Sequence, residues 1–173
     1  MNFIVTCPRN FESEAMDEIK AILDQIENNN TIICKTEFSG ILEIQTNIEI
    51  QVVIKKVKEK IADEPWVLRY SLRWIPIQVE VNSNIKEISK RVYDLIGIIK
   101  ENDSYRITIE KRNSDMSSNE LIKNIASKIK NKVSLEHPDW VILIEILGKK
   151  TGISVIKPDE IISIEKQKRT VSE

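Results

Sequence analysis

The chain has 173 residues, of which 41% are hydrophobic and 31% charged, and its 26 basic and 27 acidic side chains leave a net charge of -1. That is the size and composition of one large or two small globular domains and excludes a disordered tail, while only 4 Gly and 5 Pro exclude collagen-like and low-complexity chains. A charge near zero offers no global field to a polyanion, so any nucleic-acid grip has to come from a local patch.

In chain order, residues 3–7 read as a strand stopped by Pro8. Ala15, Ile19, Ile22, Leu23 and Ile26 then recur at helical spacing, with acidic residues crowding the first turns, where the helix dipole favours them. Residues 31–38 and 41–46 read as two strands around Ser39-Gly40, a hairpin signal. Ile50, Val53, Ile54, Val57 and Ile61 mark a second helix over 48–62, and residues 66–81 read as extended. This half therefore runs strand, helix, strand, strand, helix, strand, the ferredoxin-like order.

In the second half, Ile85, Ile88, Val92, Leu95, Ile96 and Ile99 form a helical stripe, and residues 105–111 alternate as a strand. Ser117-Ser118-Asn119-Glu120 is a capping box for a helix over 121–132. Residues 133–135 suit a short strand. Residues 140–147 are apolar on both faces and predict a central strand, followed by a turn at 148–152, a returning strand at 153–156 and a polar, frayed tail. Residues 1–80 carry 9 basic and 13 acidic side chains, residues 81–173 carry 17 and 14, so the second half is the better polyanion candidate.

Several chemistries are missing. Glycines stand isolated at 40, 97, 148 and 152, which leaves no phosphate-cradling loop. Cys7 and Cys34 with one histidine, His137, make no metal set. The two cysteines read as reduced, buried thiols, with a bridge between neighbouring strands as the alternative. No apolar run reaches the ~18 residues of a membrane span and no secretion signal opens the chain, so a cytoplasmic protein is expected. His137, next to Pro138, has no triad pattern, and the carboxylates read as solvated helix faces.

Cationic features stand out instead. Lys111-Arg112-Asn113 leave the alternating strand as two cations and an amide, a combination that can hold a phosphate and bond a base or ribose. Lys149 and Lys150 lie in the 148–152 turn, and the helix after Ser117 adds Lys123, Lys128, Lys130 and Lys132. Its N-terminus is a further anion candidate. Trp66, Tyr70 and Trp74 at spacing four interleave with Arg69 and Arg73. In an extended segment the aromatics share one face and the arginines the other. The plain reading is a core-facing row with a basic edge, the sharper one a stacking platform for bases.

Taken together, TCPRNFESEA, EPWVLRYSLRWIPIQVEV, YRITIEKRNSDMSSNELIKNIASKI and VSLEHPDWVILIEILGKKTGISVIKP, in this order over nearly the whole chain, resemble the stand-alone THUMP-domain proteins of archaea and eukaryotes. The resemblance implies an α+β protein: a ferredoxin-like N-terminal domain over 1–81 packed against a THUMP domain over 82–165, with a tail at 166–173. It implies a tRNA-binding adaptor that grips the acceptor stem and CCA end, while a separate RNA acetyltransferase, using acetyl-CoA and ATP, makes acetylcytidine. It carries over no catalytic residue and no cofactor or metal, and the few residues after the domain leave no room for a catalytic one. Lys111, Arg112 and Asn113 match the family's basic strand exit, Arg69 and Arg73 its basic extended segment, and Lys149 and Lys150 lie on a turn that varies among related sequences. The competing expectations are a small RNA-modifying enzyme with an unrecognised site, and a ligand-sensing or oligomerising ferredoxin-like module without RNA.

Overall fold

The computed structural model describes residues 1–172. Its elements in chain order are β1 (Phe3–Thr6), α1 (Glu12–Leu23), β2 (Thr31–Lys35), β3 (Ile41–Thr46), α2 (Ile50–Asp63), β4 (Arg73–Pro76), β5 (Val79–Asn82), α3 (Ile85–Leu95), β6 (Tyr105–Arg112), α4 (Ser118–Ala126), β7 (Trp140–Leu147), β8 (Lys150–Ile156), β9 (Ile162–Ser163) and α5 (Ile164–Ser172). They fall into two compact units, Met1–Pro76 joined by the chain from Asp159 onward, and Ile77–Pro158. These borders differ from the expected 81/82 and 165/166: β5 goes with the second unit, and the last segment returns to the first.

In the first unit the sheet order is β2-β3-β1-β4-β9, antiparallel at every pairing. α1 buries Ala15, Ile19, Ile22 and Leu23, and α2 buries Val53, Ile54, Val57 and Ile61. These stripes meet Phe3, Val5, Leu42, Ile44 and Trp74 in one core, where the Phe3 and Trp74 rings meet edge to face at 6.2 Å. Both cysteines are free; Cys7 is buried as expected, but Cys34 is exposed on β2.

Two further expectations fail in this unit. Residues 66–81 are not one extended segment: residues 66–72 form an irregular loop, and β4 and β5 belong to different sheets. The cause lies about fifty residues away. The Glu18 carboxylate accepts the N–H groups of Arg69, Tyr70 and Ser71 at 2.5, 2.8 and 2.9 Å and the Ser71 hydroxyl at 3.1 Å, which curls the loop. The tail is also not frayed. It forms α5, anchored by buried Ile164, by the Lys168 ammonium donating to the Leu68 carbonyl at 2.6 Å, and by Lys58 with Asp159 at 3.6 Å just before it. Glu173 of the expected tail lies outside the described residues.

α1 follows Phe11 at its N-cap, with no side-chain cap on its first turn. Glu12 instead accepts the Gly40 N–H at 2.6 Å, which holds its carboxyl below the usual carboxylate value. A depressed pKa contributes stability that is present above the ordinary carboxylate range and is lost as pH falls through the folded value. The wild-type thermal midpoint is therefore expected to fall more between pH 6 and pH 3 than that of Glu12→Gln; equal acid losses in the two proteins would refute this.

The second unit has the order β5-β8-β7-β6, with β6 parallel to β7 and the other pairs antiparallel. All eight residues of β7 are buried, as the run WVILIEIL predicts. Ile88 and Val92 of α3 and Leu121 and Ile125 of α4 pack on Ile142, Ile144, Ile153 and Val155. The Ser117 hydroxyl accepts the Glu120 N–H at 3.2 Å, as the capping box predicts. α4 nevertheless ends at Ala126, short of 132, and the expected strand at 133–135 is a single bridge between Tyr105 and Val133.

Candidate nucleic-acid interface

Strand direction places the second unit's basic residues. β6 and β7 run the same way, so Arg112 ends opposite Leu147, immediately before the turn at Gly148. The Gly148 N–H donates to the Arg112 carbonyl at 2.9 Å, and Gly148 takes φ 58, a backbone state that glycine adopts without strain. β8 begins at Lys150 opposite Asn82 of β5, and the Ser83 N–H donates to the Lys149 carbonyl at 2.9 Å. One end of the sheet thus gathers Arg112, Asn113, Lys149, Lys150, Asn82 and Ser83.

Two helices begin at this end, because α3 follows β5 and α4 follows β6. The Asn84 side chain caps α3 by accepting the Glu87 N–H at 2.8 Å. The Glu87 carboxylate reaches back to the Asn84 amide at 2.9 Å and the Asn82 N–H at 3.2 Å, and these bonds hold it below its usual pKa. A carboxylate of the chain itself therefore occupies the positive end of α3. A shallow cleft of about 360 Å³ beside it mixes Lys90, Arg91 and Lys150 with Glu80 and Glu87.

Lys111 and Arg112 do not act as a pair. Successive strand residues face opposite sides of a sheet. Lys111 shares the face of Ile107 and Ile109, and its ammonium donates to the Met116 carbonyl at 2.8 Å, pinning the loop that leads to α4. Arg112 faces the other way, with its guanidinium 3.9 Å from the Glu145 carboxylate. Asn113 sits in the turn itself at φ 50. Lys123 is exposed on α4.

The remaining basic residues are placed differently. The Lys128 ammonium lies 4.7 Å from the centre of the Tyr93 ring, a packing contact. Lys130 and Lys132 are exposed past the end of α4. Arg69 and Arg73 belong to the first unit. Arg69 is exposed in the 66–72 loop, and Arg73 is half-buried at the start of β4. Trp66, Tyr70 and Trp74 do not share a face: Trp66 is exposed, Tyr70 half-buried and Trp74 fully buried.

Sequence reasoning missed Lys90 and Arg91, although the α3 stripe left both on its polar side. It also missed Arg106, which donates to the Leu135 carbonyl at 3.0 Å from the strand face that Arg112 shares. Among the described residues no group of three or more His, Cys, Asp or Glu side chains lies close enough to hold a metal ion, and no helix is long and apolar enough to cross a membrane.

Residues 82–156 match the family model of the THUMP domain. Over 178 residues the chain is 25% identical to the uncharacterized protein MJ0421 of Methanocaldococcus jannaschii, a match covering 100% of this chain and 46% of that protein. The chain thus spans about half the length of this curated relative. The crystal structure of PH1313 from Pyrococcus horikoshii is similar with a TM-score of 0.66 at 21% identity, covering 91% of this chain and 55% of that one. A 4-thiouridine synthetase crystallised with RNA and bound ATP is similar with a TM-score of 0.56 at 11% identity, covering 93% and 41%. At these identities the structural likeness is one of fold.

Proposed function

Residues 82–156 are a THUMP domain, and from that premise we propose that the chain is a cytoplasmic, non-catalytic tRNA-binding adaptor. It presents tRNA to a separate RNA acetyltransferase that makes acetylcytidine, the acetyl-CoA and ATP being that enzyme's. The observation that carries this reading is the sheet end where Arg112, Asn113, Lys149 and Lys150 meet beside the start of α4. The RNA bound to the 4-thiouridine synthetase of similar fold supports it. So does the sequence resemblance to the stand-alone THUMP proteins. The first unit reads as ferredoxin-like, supported by its β2-β3-β1-β4 order with two interleaved helices.

In this reading Arg112, Lys149 and Lys150 contact acceptor-stem phosphates, and Lys123 extends the track along α4. Asn113, projecting from a tight turn, bonds an exposed base or ribose near the CCA end. Lys111 positions the 113–117 loop through Met116. Arg69 and Arg73 supply phosphate contacts from the first unit. Folded RNA is recognised by shape, phosphates and unpaired ends, a task for a sculpted surface that needs no reaction centre. With a net charge of -1, the grip alone is weak, and a partner enzyme on the same tRNA multiplies it through effective concentration.

Fluorescence anisotropy with a tRNA transcript across a salt series tests this. Micromolar binding is expected, with each phosphate contact contributing a log–log salt slope of about -0.7 to -0.9. Removing CCA weakens binding, and Lys149→Ala with Lys150→Ala makes the slope shallower by about two contacts' worth. Absence of binding at low salt, or a slope unmoved by the double variant, would overturn the reading.

A further inference from the structure

The first unit displays aromatic rings that the phosphate grip does not use. Phe11, just before α1, and Tyr70, in the loop before β4, stack with ring centres 5.2 Å apart and planes 18° apart. Phe11 remains 42% exposed, and Trp66 on the same loop is 63% exposed. Large apolar side chains held in water are informative when they are ordered rather than loose. Here the backbone under them is held: Glu18 clamps Arg69, Tyr70 and Ser71, the Phe11 N–H bonds the Pro8 carbonyl at 3.2 Å, and the Trp66 carbonyl accepts Arg69 Nε at 3.2 Å.

The charges around these rings suit a nucleotide. Arg69 is exposed between Trp66 and Tyr70, with its Nε bonded to the Trp66 carbonyl at 3.2 Å, and Arg9 is exposed two residues before Phe11. Of the carboxylates nearby, Glu12 is bonded to Gly40 and Ser39, Glu18 to the loop and Glu64 to Lys60, which leaves Glu14 and Asp63 exposed beside the two guanidinium groups. Flat rings next to guanidinium groups accept a base by stacking and its phosphate by charge, without regard to which base it is. An apolar peptide would gain from the rings and leave both arginines unused.

We propose that Phe11, Tyr70 and Trp66, with Arg69 and Arg9, form a stacking platform for unpaired bases of the RNA this chain binds. The proposal rests on the RNA-binding reading above and adds a second kind of contact to it. Tyr70 backs Phe11 and keeps its ring flat. Phe11 and Trp66 offer faces to bases, and the arginines hold the linking phosphates.

Tryptophan emission reports on this directly. Trp74 is fully buried and Trp140 only 8% exposed, so Trp66 is the indole a base in solvent can reach. A labelled single-stranded RNA of about eight nucleotides, within the usual site size, and a blunt duplex of the same sequence are titrated at low salt, with emission and anisotropy followed together. The single strand is expected to quench the emission and the duplex to leave it unchanged. Loss of the quench in Trp66→Phe identifies Trp66 as the indole that the base covers, and an unchanged thermal midpoint in that variant separates the effect from folding. Trp66→Ala and Phe11→Ala each weaken single-strand binding by roughly five- to a hundredfold and leave duplex binding within about twofold, the latter being set by phosphate contacts. Binding by anisotropy with unchanged emission overturns the platform and leaves the RNA-binding reading standing. Binding of neither RNA overturns both.

Discussion

Gly40→Ala is expected to lower the thermal midpoint of the protein by about 6–12 °C, or about 3 kcal/mol at 2–4 °C per kcal/mol. Gly40 sits at the entry to β3 with φ +76, a left-handed state that any other L-residue occupies at a cost of about 1–2 kcal/mol. A Cβ built there comes 2.6 Å from the Cys7 carbonyl oxygen, closer than such atoms approach. That oxygen belongs to backbone held by the pairing of Thr6 with Ile41, so it cannot rotate aside as a side chain would. Overpacking of this kind adds about 1–3 kcal/mol. Gly97 is the internal control: a Cβ there meets nothing within 4 Å and φ is not positive. Gly97→Ala is expected to leave the midpoint unchanged or slightly raised. Calorimetry on the two variants checks the pair, and equal midpoints would show that the 2.6 Å approach relaxes freely.

Arg112→Ala is expected to cost about 2 kcal/mol of stability, in addition to the tRNA affinity proposed for it, less than the about 3–5 kcal/mol for breaking a fully buried pair, because over a third of the Arg112 side chain is in solvent. The Glu145 side chain is 2% exposed and lies 3.9 Å from the Arg112 guanidinium, whose side chain is 36% exposed. Glu145 comes from the centre of β7, where every residue is buried, so its charge depends on the field around it. Removing Arg112 withdraws part of that field, and adding Glu145→Gln removes the carboxylate that the guanidinium faces. The double variant is expected to regain at least half of the loss, which urea midpoints on the four proteins of the cycle would read as coupling. Strictly additive losses would exclude the pair as a structural unit. In tRNA anisotropy, the same four proteins together with Arg112→Lys separate the RNA contact proposed for Arg112 from its structural one. Arg112→Lys keeps most of the affinity if charge is what matters. On that proposal the double variant is expected to bind weakly even where its stability is regained.

Much of the fold could be read along the chain because the signals were local. Helical spacing of Ala15, Ile19 and Ile22 located α1, the apolar run 140–147 located β7, and Ser117 with Glu120 located the start of α4. The candidate site was less legible. Adjacent Lys111 and Arg112 looked like one grip, yet the two-residue period of a strand sends them to opposite faces, one to Met116 and the other toward Glu145. Lys149 and Lys150, weaker on sequence grounds, are the residues that strand pairing brings beside Arg112 and Asn113. The even spacing of Trp66, Tyr70 and Trp74 presumed an extended chain, which the Glu18 clamp does not allow. Phe11, which stacks on Tyr70, carried no sequence signal, since the two rings are 59 positions apart.

By itself the sequence determined the class of the protein, an α+β chain in two parts with its positive charge in the second, because composition, apolar period and capping residues act within a few positions of one another. Only the tertiary structure decided which side chains are available to a ligand. β5 left the first half for the second sheet, the polar last segment became α5 against α2 and Leu68, Cys34 stayed in solvent, and Lys111 was committed to a carbonyl. Each of these outcomes depends on a partner far away in the chain. A hydrogen bond or a buried face is worth most where water is excluded, and water exclusion is a property of the assembled fold.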